Sequence, residues 1–385
     1  MTKTPRADWS GSQISAALAV GTVAVLIVGT QPIFLGALLD AHRVTLEGVG
    51  MVAMGEIVAI GSGVVVGDTL LPGSQLRAIT IAAAVLAAAF DVLTLHATGD
   101  AGFLAARGAA GVAEGVLVWG TTGVIVRSHA PARIGGVFFI VQTIAQALLG
   151  MVLASAIIPR WGWQGAFVLL AALSALPCLM ACLQPAGLAP LVETAVSGFR
   201  WCAATVLPLL VIFTQLAALG AFWAYLDPLG QAAGFSGQSA QALIAGVLVM
   251  QVAGGSAGSL AVRRVAVVPA LVTASATLAA STLVAHALPP GSQLGFALAC
   301  VFFGFAWLFM MPFHIGLAFR ADPTGRLAGL VPAAQLLGSA FGPLVASFFV
   351  SGEDASAAPP LSAGFAIIAV SLLLSTRRRF NAALA

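Results

Sequence analysis

The chain has 385 residues, of which 60% are hydrophobic and only 8% are charged, and its mean hydropathy is +1.05. A soluble domain carries roughly 25% charged residues, so this composition excludes a water-soluble fold, which could not cover so much apolar surface. The net charge of +3 is small and requires no nucleic-acid partner.

Apolar runs that are long enough to cross a bilayer recur along the whole sequence. A helix needs about 20 residues to cross roughly 30 Å of hydrocarbon. Twelve runs are near that length, at 13–39, 45–67, 76–96, 101–126, 132–158, 161–184, 201–226, 238–262, 266–288, 292–319, 327–350 and 361–376. The sequence therefore predicts an all-α polytopic membrane protein. The first run is too long for a signal peptide, so we expect it to remain as a spanning helix.

The basic residues indicate how these helices are oriented. With the N-terminus in the cytoplasm, thirteen basic residues fall at cytoplasmic ends, and two, Arg43 and Arg160, fall outside. This distribution is a strong positive-inside signal. We therefore expect a multi-pass protein of the cytoplasmic membrane with both termini in the cytoplasm. The thirteen residues are Lys3, Arg6, Arg77, Arg127, Arg133, Arg200, Arg263, Arg264, Arg320, Arg326, Arg377, Arg378 and Arg379.

Two charged residues lie within the fourth run, in the segment RGAAGVAEG. Arg107 and Glu114 are two helical turns, or about 10 Å, apart on one face, and Glu56 lies near the middle of the second run. A charge at the bilayer centre costs about 2.5 to 3.5 kcal/mol on insertion scales, so such residues face the bundle interior and tend to be functional.

A carboxyl group that alternately approaches and leaves a guanidinium can load and release a proton. We therefore predict that Glu56, Arg107 and Glu114 couple transport to protons; the alternative is that a glutamate only hydrogen-bonds a neighbouring helix. Ion pairs on one helix are usually three or four residues apart. We therefore expect Arg107 and Glu114 to contact other partners rather than each other.

Other polar and aromatic residues within the runs are candidates for binding a substrate. Aromatic walls with a few fixed polar groups suit an amphipathic organic solute, although packing between helices is the better explanation for any single glutamine. Asp91 lies near the outer end of the third run, where we expect it to be peripheral. The predicted substrate-binding residues are Gln31, Gln142, Gln251, Trp307, Phe309, His314 and Gln335.

The two halves of the chain carry a weak repeat at an offset of 193 residues. The segment RIGGVFFIVQ from Arg133 aligns with RLAGLVPAAQ from Arg326. The repeat predicts two six-helix halves, 1–184 and 201–385, joined by a short cytoplasmic linker at 185–200. Parallel repeats of this kind imply a substrate site between the halves near the bilayer midplane.

Several motifs resemble the major facilitator superfamily. FLAARGAAGVAEG, from Phe103, is similar to the fourth-helix signature of proton-coupled members, and GWQGAFVLLAALSAL, from Gly162, looks like the start of a sixth helix. GSAFGPLVA, from Gly338, resembles the Gly-Pro antiporter motif, although antiporters of the family carry it in helix five and here it falls in helix eleven. With the twelve spans and the short central loop, the resemblance covers essentially the whole chain.

The resemblance implies the major facilitator fold, with a central cavity lined by helices one, four, seven and ten, and a secondary transporter that works by alternating access. We expect it to move a small organic molecule in exchange or cotransport with protons, with a slight preference for export. The alternative is an uncoupled facilitator, or an importer of an organic anion bound through Arg107. The loop after the second run keeps Gly63, Gly67 and Asp68 but continues TLLPGSQLR, so no subfamily follows.

Other classes of function find less support in the sequence. A membrane-embedded enzyme needs clustered catalytic groups, and no phosphate-binding loop with its Lys-Ser/Thr occurs. No His or carboxylate accompanies the neighbouring cysteines Cys178, Cys182 and Cys202. We expect no enzymatic activity, no cofactor and no metal, and a monomer whose partners are the substrate, protons and lipid. The histidines, scattered over both sides of the membrane, are His42, His96, His129, His286 and His314.

Overall fold

A computed structural model describes residues 9–188, 202–322 and 326–382. The regular structure in this part of the chain is helical and confirms the all-α prediction. Its α-helices are α1 (Gly11–Ala24), α2 (Leu26–Asp40), α3 (Leu46–Leu70), α4 (Leu76–Thr94), α5 (Gly99–Arg127), α6 (Pro131–Val152), α7 (Ile158–Met180), α8 (Ala203–Trp223), α9 (Leu226–Ala232), α10 (Gly237–Ala261), α11 (Val267–Ala287), α12 (Gln293–Ala321), α13 (Arg326–Ser347) and α14 (Ala358–Ala382).

The described helices form eleven segments that are long and apolar enough to cross a membrane. One of them, Arg133–Leu183, is 51 residues long and is divided at Gly162. The φ of Gly162 is +61° with ψ of −160°, a conformation that is essentially restricted to glycine. This segment therefore holds two of the predicted spans, so the structure accounts for all twelve apolar runs.

The chain divides into two compact units. The first unit comprises Met1–Val44 and Gly55–Thr194, and the second comprises Thr45–Met54 and Ala195–Ala385. In the first unit, α4 packs against α5 and α7, while α1 contacts α5, α6 and α7. In the second unit, α8 packs against α13 and α14, and α12 packs against α10 and α11. The linker predicted at 185–200 lies mostly outside the described residues.

The first predicted span is broken into α1 and α2. The first helix begins at a capping box, because Ser10 Oγ accepts from the Gln13 amide and Gln13 Oε1 accepts from the Ser10 amide. It ends where Gln146 Nε2, from α6, donates to the Val25 carbonyl at 2.7 Å. A side chain that enters the backbone ladder in this way breaks a helix. Gly29 leaves room for it, since a Cβ there would lie 2.8 Å from Gln146 Cγ.

The seventh predicted span is also broken, into α8 and α9. The break lies at Ala224 and Tyr225. Pro228, four residues after Ala224, has no N–H with which to continue the ladder to the Ala224 carbonyl. The first predicted span is therefore interrupted near its middle, and the seventh near its predicted outer end.

Helix lengths and glycine contacts match across the offset of 193 residues. Helices α5 and α12 are both 29 residues long, and α6 and α13 are both 22 residues long. The offset of 193 residues pairs Gly111 with Gly304. A Cβ on Gly111 would lie 2.8 Å from the Glu56 carbonyl oxygen, and a Cβ on Gly304 would lie 2.8 Å from that of Val247. Equivalent glycines thus permit equivalent helix contacts in the two units.

Glycines also bring α13 against α8 in the second unit. A Cβ on Gly338 would meet the Phe213 carbonyl oxygen well inside van der Waals distance and would lie 2.9 Å from Leu216 Cβ. On Gly342 it would lie 2.6 Å from the Ala221 amide nitrogen. Because the obstacles are mostly backbone, no side-chain rotation can relieve these clashes.

This packing yields a prediction for stability. Gly338→Ala should lower the stability of the protein by about 1 to 3 kcal/mol, since overpacking forces the backbone to move. Gly246→Ala, in α10 with no atom within 4 Å of the added Cβ, should be neutral or stabilising by up to about 1 kcal/mol through helix propensity. Thermal unfolding of both purified variants in detergent is the measurement. Equal melting temperatures would show that α8 and α13 do not pack this closely.

Candidate functional site

Four ionisable side chains meet inside the first unit. Glu56 comes from α3, Asp91 from α4, and Arg107 and Glu114 from α5, and each residue is at most 2% exposed. Gly111 brings α3 and α5 together next to this cluster, because its missing side chain admits the Glu56 backbone. We refer to these four residues as the charge cluster.

Arg107 is the centre of the charge cluster. Its Nε donates to Glu56 Oε1 at 2.7 Å, and its Nη2 donates to the same oxygen and, at 3.2 Å, to Glu114 Oε1. Its Nη1 donates to Asp91 Oδ1. Every nitrogen of the guanidinium is therefore engaged by a carboxyl group. The ring of Phe167 lies 5.6 Å from the guanidinium carbon and covers its face.

Two neutral side chains complete the shell around the carboxyl groups. Gln31 Nε2, from α2, donates to Glu56 Oε2 at 2.9 Å, and Ser174 Oγ, from α7, donates to Asp91 Oδ2 at 2.7 Å. Both oxygens of Glu56 and both oxygens of Asp91 thus accept hydrogen bonds. No oxygen of either group lacks a donor.

Glu114 differs from the other two acids. Its Oε1 makes the longest of the three contacts with Arg107, and its Oε2 has no hydrogen-bond partner among the described residues. Oε2 is therefore the oxygen of the cluster with space for a proton. Three carboxyl groups face one guanidinium, so full ionisation would leave an excess of two negative charges. A proton on Glu114 reduces that excess to one negative charge. This protonation is favourable because an unpaired charge in an apolar interior is costly.

The charge cluster corrects two expectations drawn from the sequence. Arg107 and Glu114 do contact each other, although they are seven residues apart: the Glu114 side chain leans toward the helix N-terminus, as helical side chains do, and small residues lie between them. Asp91 is not peripheral but completely buried against Arg107. Glu56 is, as expected, a further partner of Arg107.

The second unit contains a neutral polar network around His314, from α12. His314 Nε2 lies 2.9 Å from Gln215 Oε1, and Gln335 Nε2 lies 3.0 Å from His314 Nδ1. Gln215 Nε2 donates to Ser275 Oγ at 2.7 Å. With these amide orientations, His314 carries its single proton on Nε2, and both ring nitrogens are satisfied. Four helices, α8, α11, α12 and α13, are joined by neutral groups.

The remaining predicted residues are distributed differently. Gln31 belongs to the charge cluster. Gln142 is half-buried on α6, and its neighbour Gln146 makes the contact with Val25 described above. Gln251 is buried on α10, and its Nε2 has no hydrogen-bond partner among the described residues. Within the units, Gln31 contacts Glu56, and His314 contacts Gln335.

The aromatic candidates lie in packed rows of the second unit. Trp307 meets the Trp223 ring edge-on, with centroids 5.1 Å apart. Phe309 lies between Phe305 and Phe313, at 5.9 Å and 5.3 Å. Trp223 is 3% exposed, so it is an interior residue rather than part of the interfacial belt that its position near a span end suggests.

The sequence matches no protein-family model and no curated protein. Solved structures do resemble the whole chain. The nucleoside transporter NupG is 13% identical and gives a TM-score of 0.68, covering 95% of this chain and 99% of its own. The xylose transporter XylE from E. coli is 13% identical, with a TM-score of 0.67 and coverages of 94% and 99%. The human organic anion transporter MFSD10 is 17% identical, with a TM-score of 0.65 and coverages of 95% and 100%.

The charge cluster yields a prediction for stability. Arg107→Gln should lower stability by about 3 to 5 kcal/mol, because it leaves buried carboxylates without their cation. The loss should be smaller at pH 5 than at pH 8, since protonated carboxyl groups need no cation. Glu114→Gln should leave stability close to that of the natural protein, because it replaces a group that is already neutral.

Thermal unfolding of both variants across this pH range tests the assignment. If Glu114→Gln destabilises the protein as much as Arg107→Gln does, Glu114 is an ionised partner of Arg107, and the protonation pattern above is wrong.

Proposed function

We propose that this chain, which has the fold of the major facilitator superfamily, is a secondary transporter that couples the movement of a small organic molecule to protons. The observation that carries the proposal is the imbalance in the charge cluster, where three carboxyl groups surround one guanidinium in an apolar interior. Such intramembrane ionisable groups mark substrate and proton pathways.

Glu114 is the proton carrier in this proposal. In the described structure its Oε2 has no partner, and a proton there relieves the excess negative charge beside Arg107. If water reaches Oε2 in another conformation, it solvates the carboxylate and lets the proton leave. Glu56 and Asp91 have no vacant oxygen in this structure, because donors occupy both oxygens of each.

The arrangement around Arg107 supports coupling to protons over capture of an anionic substrate. A guanidinium that binds an organic anion must present free N–H groups to it. Here the three nitrogens donate to carboxyl groups and Phe167 covers one face. An anion would have to displace Glu56 or Asp91, so the importer of an organic anion through Arg107 is the weaker alternative.

The fold alone does not name the substrate. The structural neighbours are described as transporters of nucleosides, of xylose and of organic anions, and these classes define the first solutes to test. The aromatic rows of the second unit favour a solute with an apolar or planar face.

The test is solute-dependent proton movement in proteoliposomes that contain a pH-sensitive dye. A nucleoside, xylose and an aromatic carboxylate are added separately to vesicles of the full chain, and the internal pH is followed. We expect at least one solute to change it. Glu114→Gln should abolish the pH change and accumulation against a concentration gradient while retaining solute exchange, because the amide keeps the shape but cannot carry a proton.

Two variants make this experiment specific. Arg107→Lys should also be impaired, since an ammonium cannot reproduce the planar fork that meets the carboxyl groups. Glu353→Gln, at an exposed position in the turn before α14, should behave as the natural protein does. A Glu114→Gln protein that still accumulates solute with natural proton dependence would refute Glu114 as carrier, and solute movement without any pH change would indicate an uncoupled facilitator.

A further inference from the structure

A row of contacting aromatic rings lies between the charge cluster and one end of the first unit. Phe167, which covers Arg107, packs against Phe34 with centroids 5.0 Å apart and against Trp163 at 6.3 Å. Trp163 also packs against Phe103, at 6.0 Å. These four residues come from α2, α5 and α7, and we refer to them as the aromatic column.

The outer end of the aromatic column is closed by a second arginine. Arg43, in the turn after α2, places its guanidinium 5.3 Å from the Trp163 ring and donates from Nη2 to the Ala97 carbonyl at 3.3 Å. Ala97 belongs to the turn before α5, and Trp163 follows the Gly162 break. The column therefore begins where the turn after α2, the turn before α5 and the break at Gly162 meet, and it ends at Arg107.

The aromatic column is buried and apolar, and its outer end carries a guanidinium. Phe34, Phe103 and Phe167 are at most 1% exposed, and Trp163 is 6% exposed. Protons cross proteins along waters and titratable groups, and a narrow apolar passage expels water. The guanidinium of Arg43 also repels hydronium at the outer end. Each of these properties opposes proton entry from this end.

We propose that the aromatic column is a proton barrier that prevents the charge cluster from exchanging protons with water at the turns near Arg43. Protons then reach and leave Glu114 only from the other side of the cluster, where its Oε2 is free of hydrogen bonds to described residues. The barrier keeps proton movement dependent on the transport cycle. This inference rests on the proposed function, because it assigns the column a role in coupling.

Truncating one ring should open the barrier. Phe167→Ala leaves a cavity beside a guanidinium and carboxylates, and a cavity with polar partners takes up water, whereas an apolar cavity stays dry. In proteoliposomes without any solute, an imposed pH gradient with the membrane potential clamped should dissipate several-fold faster with Phe167→Ala than with the natural protein. Trp163→Leu, at the outer end, should give a smaller increase.

A matched control distinguishes the barrier from general damage. Phe303 is completely buried among Phe222 and Trp307 in the second unit, so Phe303→Ala removes the same ring but leaves an apolar cavity. It should not leak. Phe167→Leu keeps most of the apolar volume and should also retain the barrier while losing the contact between ring and guanidinium.

Combining Phe167→Ala with Glu114→Gln connects the leak to the cluster. We expect the double variant to return to the natural rate, because the carboxyl that receives the proton is absent. A leak that persists bypasses the cluster and overturns the proposal, as do folded Phe167→Ala and Trp163→Leu proteins with no leak. If Phe167→Ala does not fold, Phe167→Val and Trp163→Leu decide the question.

The outcome is independent of the solute experiment. A leak through Phe167→Ala with solute transport that ignores pH would keep the barrier and remove the proposed coupling. Natural coupling without any leak in these variants would keep the proposed function and remove the barrier.

Discussion

One guanidinium placed among three carboxyl groups in an apolar interior is the constraint on which the first unit depends. Arg107 cannot be buried without anions, and three different helices provide them. For those helices to come within reach of one side chain, α3 and α5 must nearly touch. They do so because Gly111 and Gly115 face Glu56, Ile60 and Gly63, and a Cβ on Gly115 would lie 2.8 Å from Gly63 Cα. The glycines and the charges therefore depend on each other. The close packing of α3 against α5 brings Glu56 within reach of Arg107, and this ion pair forms only at that distance.

The two units use the same helical scaffold for different chemistry. Helices α5 and α12 have equal lengths and equivalent glycine contacts, yet the offset of 193 residues places Cys300 opposite Arg107 and Trp307 opposite Glu114. The second unit has a buried polar network of its own, but His314 and its partners Gln215, Ser275 and Gln335 are satisfied as neutral groups. The ion pairs of Arg107 lie in the first unit, whereas rows of packed aromatic rings lie in the second.

Much of this architecture can be predicted from the sequence, because a bilayer restricts the length of spanning helices and the number of charges within them. Apolar runs gave the helices, and the rarity of charges within them identified Arg107, Glu114 and Glu56. The sequence predicts a peripheral Asp91, because this residue lies one turn from the end of α4, where a carboxylate is usually solvated. Only the packing of α4 against both α5 and α7 turns it inward, and a linear pattern does not encode how helices tilt. The contact between Arg107 and Glu114 and the contact of Gln146 with the Val25 carbonyl depend on side-chain direction at particular helix crossings, which periodicity cannot resolve.

The order of the charges along the chain bears on how the protein is made. The segment Gly99–Arg127, which carries Arg107, has a mean hydropathy of 1.5, lower than the value of 2.0 for each of the three preceding segments. Two charges on an isolated helix would each cost about 2.5 to 3.5 kcal/mol to insert. Glu56 and Asp91 leave the ribosome before Arg107, and domains form from the N-terminus during synthesis. When α5 reaches the translocon, the helices that carry its counterions have already been synthesised. We therefore expect α3 and α4 to stay at the translocon until α5 arrives, so that the three helices enter the lipid together and Arg107 is neutralised.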